Sequence, residues 1–260
     1  MTTASPARLD VTVPAPLASA LATDPDLPLL TYYDDATGER ISLSATALGQ
    51  WAARTANLLV QGCGLGPGSR AAVLLPPHWQ TAAVLLGTWS VGVSVNFESF
   101  ATAGLPRIGP GTEGPFDAVY VARDRVDNWL VDVPEARHRF VLGFAPGAAP
   151  LADVPEGYRD YVAEVSRYGD LRPVVPLSAT DPASVDGTSY ARWGLLAREL
   201  AEILDLRPGD RVLVDAAEHE HPVKWLLAPL AAGASVVLCA NLDPTRVEAR
   251  VQAERVTRVL

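Results

Sequence analysis

Apolar residues along this chain fall into two rhythms, and their alternation sets out most of the architecture. Leu48, Trp51, Ala52, Thr55, Leu58 and Leu59 recur at three- and four-residue intervals. That spacing draws one apolar stripe on a helix ending near Gly62, with Ser44 placed to accept an unpaired amide at its start. The apolar run 70–75 follows as a buried strand, stopped by Pro76 and Pro77. A helix over 78–91, Gly92 and a short strand over 93–95 come next. Strand, helix, strand in that order favours parallel pairing through a right-handed crossover. Upstream, residues 29–33 and 40–43 flank the turn Asp34-Asp35-Ala36-Thr37-Gly38 and predict a hairpin. A short helix is expected over 17–22, behind a loose lead-in.

The middle of the chain is less regular. Strands are expected over 117–122 and 139–143, separated by a weak segment containing Trp129. Residues 144–156 are rich in Pro, Ala and Gly and read as a loop. Tyr158, Tyr161, Val162 and Val165 form one side of a helix, and 171–187 is a connector. Periodicity then returns. Trp193, Leu196, Ala197, Leu200 and Leu204 predict a second amphipathic helix. A strand over 211–214, a helix over 222–232 and a strand over 234–238 follow. A final helix begins after Asp243, which caps it, and Pro244, which fits the first turn.

These two stretches look like copies of one another. Leu65-Gly66-Pro67-Gly68-Ser69-Arg70 matches Leu206-Arg207-Pro208-Gly209-Asp210-Arg211, and Gly92 lies as far beyond Arg70 as Gly233 lies beyond Arg211. Leu86 and Leu227 share one place in the two copies, and Val95 and Val236 another. Each copy is preceded by a helix carrying tryptophan, Trp51 or Trp193. The expectation is a single α/β domain over 1–260, with helix-strand-helix-strand modules at about 44–96 and 188–238. A duplicated module speaks of fold, not activity.

Composition narrows the function classes. The 48% hydrophobic and 20% charged content argues for a packed protein rather than a disordered one. A net charge of −9 disfavours nucleic acid and anionic membrane surfaces, because the mean field repels phosphate. Cys63 and Cys239 form no metal-binding pair and sit among apolar residues, as inert buried thiols do. The N-terminus lacks the basic stretch and apolar core of a secretory signal, and no uncharged apolar run reaches membrane-spanning length. A cytoplasmic protein with no membrane insertion is expected.

The two modules also resemble the large N-terminal region of the adenylate-forming (AMP-binding) acyl-CoA synthetases. The resemblance rests on 40–43, on the helix to Leu59 and on 65–76. It continues through Gly87-Thr88-Trp89-Ser90-Val91-Gly92, Asp181-Pro182-Ala183, 204–214 and 222–237. The chain looks particularly like the short actinobacterial proteins related to that family. The resemblance implies the family's early framework without the later part of the large domain or the small C-terminal domain. Members carry a Ser/Thr/Gly-rich loop ending in Pro-Lys-Gly around ATP phosphates. Here only Ser184-Val185-Asp186-Gly187-Thr188-Ser189 occupies that place, and Asp186 adds repulsion. Gly187, Thr188 and Ser189 are the nearest candidates for offering amides to a nucleotide phosphate at a helix start. Lys224, the chain's one lysine, lies in a module helix and does not take over the family's catalytic lysine.

Glu218-His219-Glu220-His221, between strand and helix of the second copy, is the sharpest polar cluster. Extended, it would put two imidazoles on one side, as a metal site would use them. A polar loop needs no such role. Family members place a histidine near the acyl pocket in this loop, so the resemblance marks His219 and His221 as candidate substrate-binding residues. His78, at the equivalent junction of the first copy, either caps its helix or lines the same cleft. No catalytic residue and no metal site is nominated. No cofactor is expected, ATP, AMP or CoA entering only if family activity persists. The function expected is a non-catalytic homologue that binds a small acyl or carboxylate ligand, or a protein partner. Residual ligase activity and a structural, complex-forming role are the alternatives.

Overall fold

The computed structural model describes residues 23–99, 114–126, 128 and 133–260. The helix expected over 17–22 and the segment around Trp129 lie outside them. The hairpin forms as antiparallel β1 (Pro28–Asp34) and β2 (Glu39–Ser44), joined by a turn in which Gly38 takes φ +77°. Asp34 closes that turn by accepting from the Ala36 amide at 2.9 Å. Helix α1 (Ala45–Asn57) starts at Ser44, whose hydroxyl accepts from the Ala47 amide at 3.1 Å. It runs on into one π-helical turn, Leu58–Gly62. Strand β3 (Arg70–Leu74), helix α2 (Trp79–Trp89) and strand β4 (Ser94–Phe97) follow, and β3 and β4 pair in parallel as the crossover requires.

Strand β5 (Phe116–Ala122), the single turn α3 (Arg123–Val126), β6 (Ala136–Leu142) and the two-residue β7 (Arg159–Asp160) extend this sheet. Its order is β4-β3-β5-β6-β7, parallel throughout. Helix α4 (Tyr161–Val165) is shorter than Tyr158 suggested, because Asp160 caps it by accepting from the Ala163 amide. Tyr158 instead lies under the Arg139 guanidinium, 4.2 Å from carbon to ring centre.

Helix α5 (Tyr190–Ile203) leads to β8 (Arg211–Asp215). A π-helical turn, Val223–Leu227, then runs into α6 (Ala228–Ala231), β9 (Ser235–Ala240), α7 (Val247–Glu254) and β10 (Arg258–Val259). The second sheet has the order β10-β8-β9-β1-β2. The N-terminal hairpin thus completes the second sheet, with Leu30 opposite Val236 in a parallel pair. The apolar stripe expected on α5 is rotated. Tyr190, Ala197 and Ala201 are buried, whereas Leu196 is 45% exposed. Small alanines on the inner face let α5 approach the helical segment 223–231 closely, which a leucine face would prevent.

Strand residues alternate between two apolar clusters, so both faces of each sheet are covered. Ala71 and Val73 enter the large cluster shared with the helices and the second sheet, while Ala72 and Leu74 enter a smaller one on the far side. Leu213, Val237 and Cys239 occupy the far side of the second sheet, under Val251 of α7. Helices α1 and α2 touch where Gly87 lacks a side chain. A Cβ there would stand 2.5 Å from the Ala52 carbonyl oxygen. Among the described residues, no helix is long and apolar enough to cross a membrane. Both thiols are free and buried, and burial pushes each above the ordinary cysteine range.

Charge fastens α7 to the hairpin. The Glu254 carboxylate accepts from Tyr33, Arg40 and Arg211, and Asp35 pairs with Arg250 at 2.6 Å. Burial alone would raise the Glu254 carboxyl, but the hydrogen bonds from Tyr33, Arg211 and Arg40 outweigh it and hold it at about 2. A carboxyl depressed on folding contributes stability above its unfolded value near 4.5 and loses that contribution as pH falls towards 2. Glu254→Gln should cost about 2–3 kcal/mol at neutral pH, because two arginines lose their buried counter-charge. Its urea midpoint should also fall less steeply than the wild type's between pH 4.5 and 2.

Candidate functional site

Parallel strands deliver their loops to one end, and in α/β sheets that end is where ligands are received. Phe97 closes β4, and the loop after β8 carries His219 and His221. Trp193, in the first turn of α5, joins the two sheets there. Its ring stacks on His221 with centroids 5.7 Å apart and planes 10° from parallel. Phe97 meets the same imidazole edge-on at 5.8 Å and 74°. Trp89 stands behind Trp193 at 6.5 Å. His221 is exposed in area, and the groups packed around its ring lower its basicity by desolvation. Its Nδ1 accepts from the Val223 amide at 3.3 Å, which leaves the proton on Nε2 as an outward donor. On the next turn, Lys224 Nζ lies 3.4 Å from His219 Nδ1. Trp225 donates from Nε1 to the Glu220 carbonyl at 3.1 Å and holds the loop in shape.

His78 does not join this group. It caps α2, its Nδ1 accepting from the Gln80 amide at 3.1 Å, and it is only 2% exposed. Its ring is packed by Tyr32 at 4.3 Å, Phe144 at 4.5 Å and Trp79 at 5.5 Å. None of these rings touches His221. Of the two roles the sequence allowed, the structure displays the cap. Desolvation drives the imidazole down to about 3, so it is neutral at physiological pH.

Of Gly187, Thr188 and Ser189, the first two spend their amides within the chain. Gly187 takes φ +88° and donates to the Ser184 carbonyl at 3.0 Å, and the Thr188 amide donates to the Asp186 carboxylate at 2.9 Å. The amides of Tyr190 and Ala191 donate to the carbonyls of Asp181 and Ala179. Ser189 uses its hydroxyl to accept from the Arg192 amide. The first donors of α5 are therefore spent on residues 179–189, which fold back over the helix start. That segment is pinned by strand-like bonds. Val95 donates to the Ala183 carbonyl at 2.9 Å, Val185 donates to Val95, and Trp89 donates from Nε1 to Ala183. Ser184 then accepts from Trp193 Nε1, which fixes the indole beneath His221.

Sequence reasoning treated Trp193 as helix bulk and passed over Phe97 and Ser184. The available signal was position, since Trp193 stands one turn inside a helix start and Phe97 at a strand's C-terminal end. Among the described residues, no three His, Cys, Asp or Glu side chains are grouped to hold a metal ion.

This architecture is that of the N-terminal region of acyl-CoA synthetases. Acetoacetyl-CoA synthetase from Streptomyces lividans superposes with a TM-score of 0.72 at 19% identity, over 95% of this chain and 42% of that enzyme. The N-terminal domain of FACL13 from Mycobacterium tuberculosis gives 0.68 at 16% identity, over 95% of this chain and 62% of that domain. The chain thus spans less than two thirds of either structure. No family model matches the sequence. A protein from Mycobacterium tuberculosis described as a TIGR03089 family protein is 39% identical over 260 residues, which take in 96% of this chain and all of that relative. The chain belongs to the TIGR03089 family.

The buried imidazole at 78 makes a measurable prediction. Its folded value near 3 lies below the ordinary 6.5, so the unfolded chain binds the extra proton and stability falls as pH drops through that interval. His78→Asn keeps a capping oxygen and removes the titration. Denaturation midpoints between pH 6.5 and 4.5 should slope less for the variant than for the wild type.

Proposed function

We propose that this chain binds a small acyl or other carboxylate-bearing ligand at the junction of β4, α5 and the loop after β8, without adenylating it. One observation carries the proposal. Lys224, the single lysine of a chain with net charge −9, has an imidazole as its side-chain neighbour and pairs with no carboxylate among the described residues. With the Nε2 donor of His221 it offers positive potential and hydrogen bonds to a carboxylate, while Phe97 and Trp193 supply apolar walls for the ligand's body. The name of the Streptomyces lividans neighbour, an acetoacetyl-CoA synthetase, supports an acyl group as the ligand class.

The absence of turnover follows from charge handling. Adenylation requires donors for the departing pyrophosphate and alignment of a carboxylate on the α-phosphate. At the start of α5 the donors that could serve are already bonded within the chain, and an aspartate rather than a lysine lies in the turn.

Thermal denaturation across a panel of free carboxylic acids, with ATP and magnesium as a separate arm, tests both parts. A matching acid at one hundred times its Kd should stabilise the fold by about 2.7 kcal/mol, read as a rise of several degrees in Tm. ATP alone should give no rise, and Lys224→Met together with His221→Ala should abolish the response to the acid. No response to any acid would end the binding proposal. Release of AMP in the combined arm would instead assign the chain a working ligase chemistry.

A further inference from the structure

The loop after β8 sets a primary amine beside a base, and the ligand proposal uses that pair only for its charge. Lys224 is the one lysine, and all the others among the 21 Lys and Arg residues are arginines. A guanidinium stays protonated and is no nucleophile, so Lys224 is the sole side-chain amine open to acyl chemistry. Its Nζ lies 3.4 Å from His219 Nδ1, within reach for a proton to pass. An ammonium can only donate, so Nδ1 is the acceptor in this contact and the imidazole proton sits on Nε2. Both residues are half-buried rather than enclosed.

Backbone bonds hold the pair in place. The His219 amide donates to the Asp215 carbonyl at 3.2 Å, and the Lys224 amide donates to the His221 carbonyl at 3.0 Å. Trp225, the residue after the lysine, is fully buried and ties the loop through its bond to the Glu220 carbonyl. A nucleophile and a base set within hydrogen-bond reach on a fixed loop are spared the entropy of finding one another. An imidazole, unlike a carboxylate counter-ion, can also accept a proton and then return it to a leaving group.

We propose that Lys224 is a self-acylation site, its amine taking the acyl group of a small thioester with His219 as the base. His219 Nδ1 accepts a proton from the ammonium, and the freed amine attacks the thioester carbonyl. The C–S bond breaks as the C–N bond of an amide forms. Of the two protons that the nitrogen gives up, one passes through His219 to the departing thiolate and the other goes to solvent. A departing thiolate needs only that one proton, whereas a departing phosphate needs further donors, so a thioester suits the pair better than an acyl phosphate. The product is a neutral amide, and acylation therefore removes the cation used to bind a carboxylate. That consequence rests on the ligand proposal, and the acyl transfer does not.

Incubation of the full chain with an uncharged acetyl thioester, followed by peptide mapping in a mass spectrometer, provides the test. Acetyl phosphate forms a separate arm. One acetyl group should appear on Lys224, at least about tenfold faster than on the same residue of the urea-unfolded chain. His219→Gln should bring the folded rate down to the unfolded one while melting as the wild type does. The ratio of folded to unfolded rate should be larger for the thioester than for the phosphate. A Lys224 left unmodified overturns the proposal, as does a folded rate no greater than the unfolded one or a rate indifferent to His219→Gln. A larger ratio with acetyl phosphate overturns the choice of donor. Acylation of Lys224 in a chain that answers to no free acid leaves this proposal standing and ends the ligand proposal, and an acid response without acylation does the reverse.

Discussion

The amides at a helix start must find acceptors, and the way α5 meets that demand shapes the end of this protein where the loops after β4 and β8 meet. Residues 179–189 supply the carbonyls and the serine hydroxyl, and the same segment is held as a strand-like edge on β4. One backbone path therefore joins the two sheets, fixes Trp193 through Ser184, and satisfies the first amides of α5. The aromatic pair Trp193–His221 and the closed helix start are two results of one constraint.

Electrostatics divides the molecule in a similar way. Acidic groups are matched on the hairpin side, where Glu254 and Asp35 take up arginines from β2, β8 and α7. The loop after β8 is different, with an ammonium set beside an imidazole in a protein of opposite net sign. Removing one partner of a buried pair would leave the other charge uncompensated, which ties the hairpin and α7 together. The TIGR03089 relative matches along its whole length, so the stretches that build both regions are represented in it.

Much of the frame was legible because its signals are local. Ser44 and Asp243 cap where their positions suggested, and the proline-glycine turns deliver β3 and β8. Partnership across distance was not legible. Nothing in residues 28–34 announces that their strand joins β9, since a buried strand's pattern is the same beside any apolar neighbour. The orientation of α5 was misjudged because leucines outweigh alanines in a periodicity count, whereas close helix packing favours the smaller side chain. In the loop after β8, the histidines were visible as a cluster. Phe97 and Ser184 were not, since each acts only through what folding brings beside it.

The pairing of β1 with β9 has a consequence for how the protein is made. Leu30 and Val236 are separated by roughly 200 residues, so the hairpin leaves the ribosome long before its neighbour exists. Strands β3 to β7 can assemble during that interval, because each finds its partners within its own stretch of chain. The second sheet cannot. An emerging chain therefore closes one layer early and leaves the edge of the other waiting for the last quarter of the sequence.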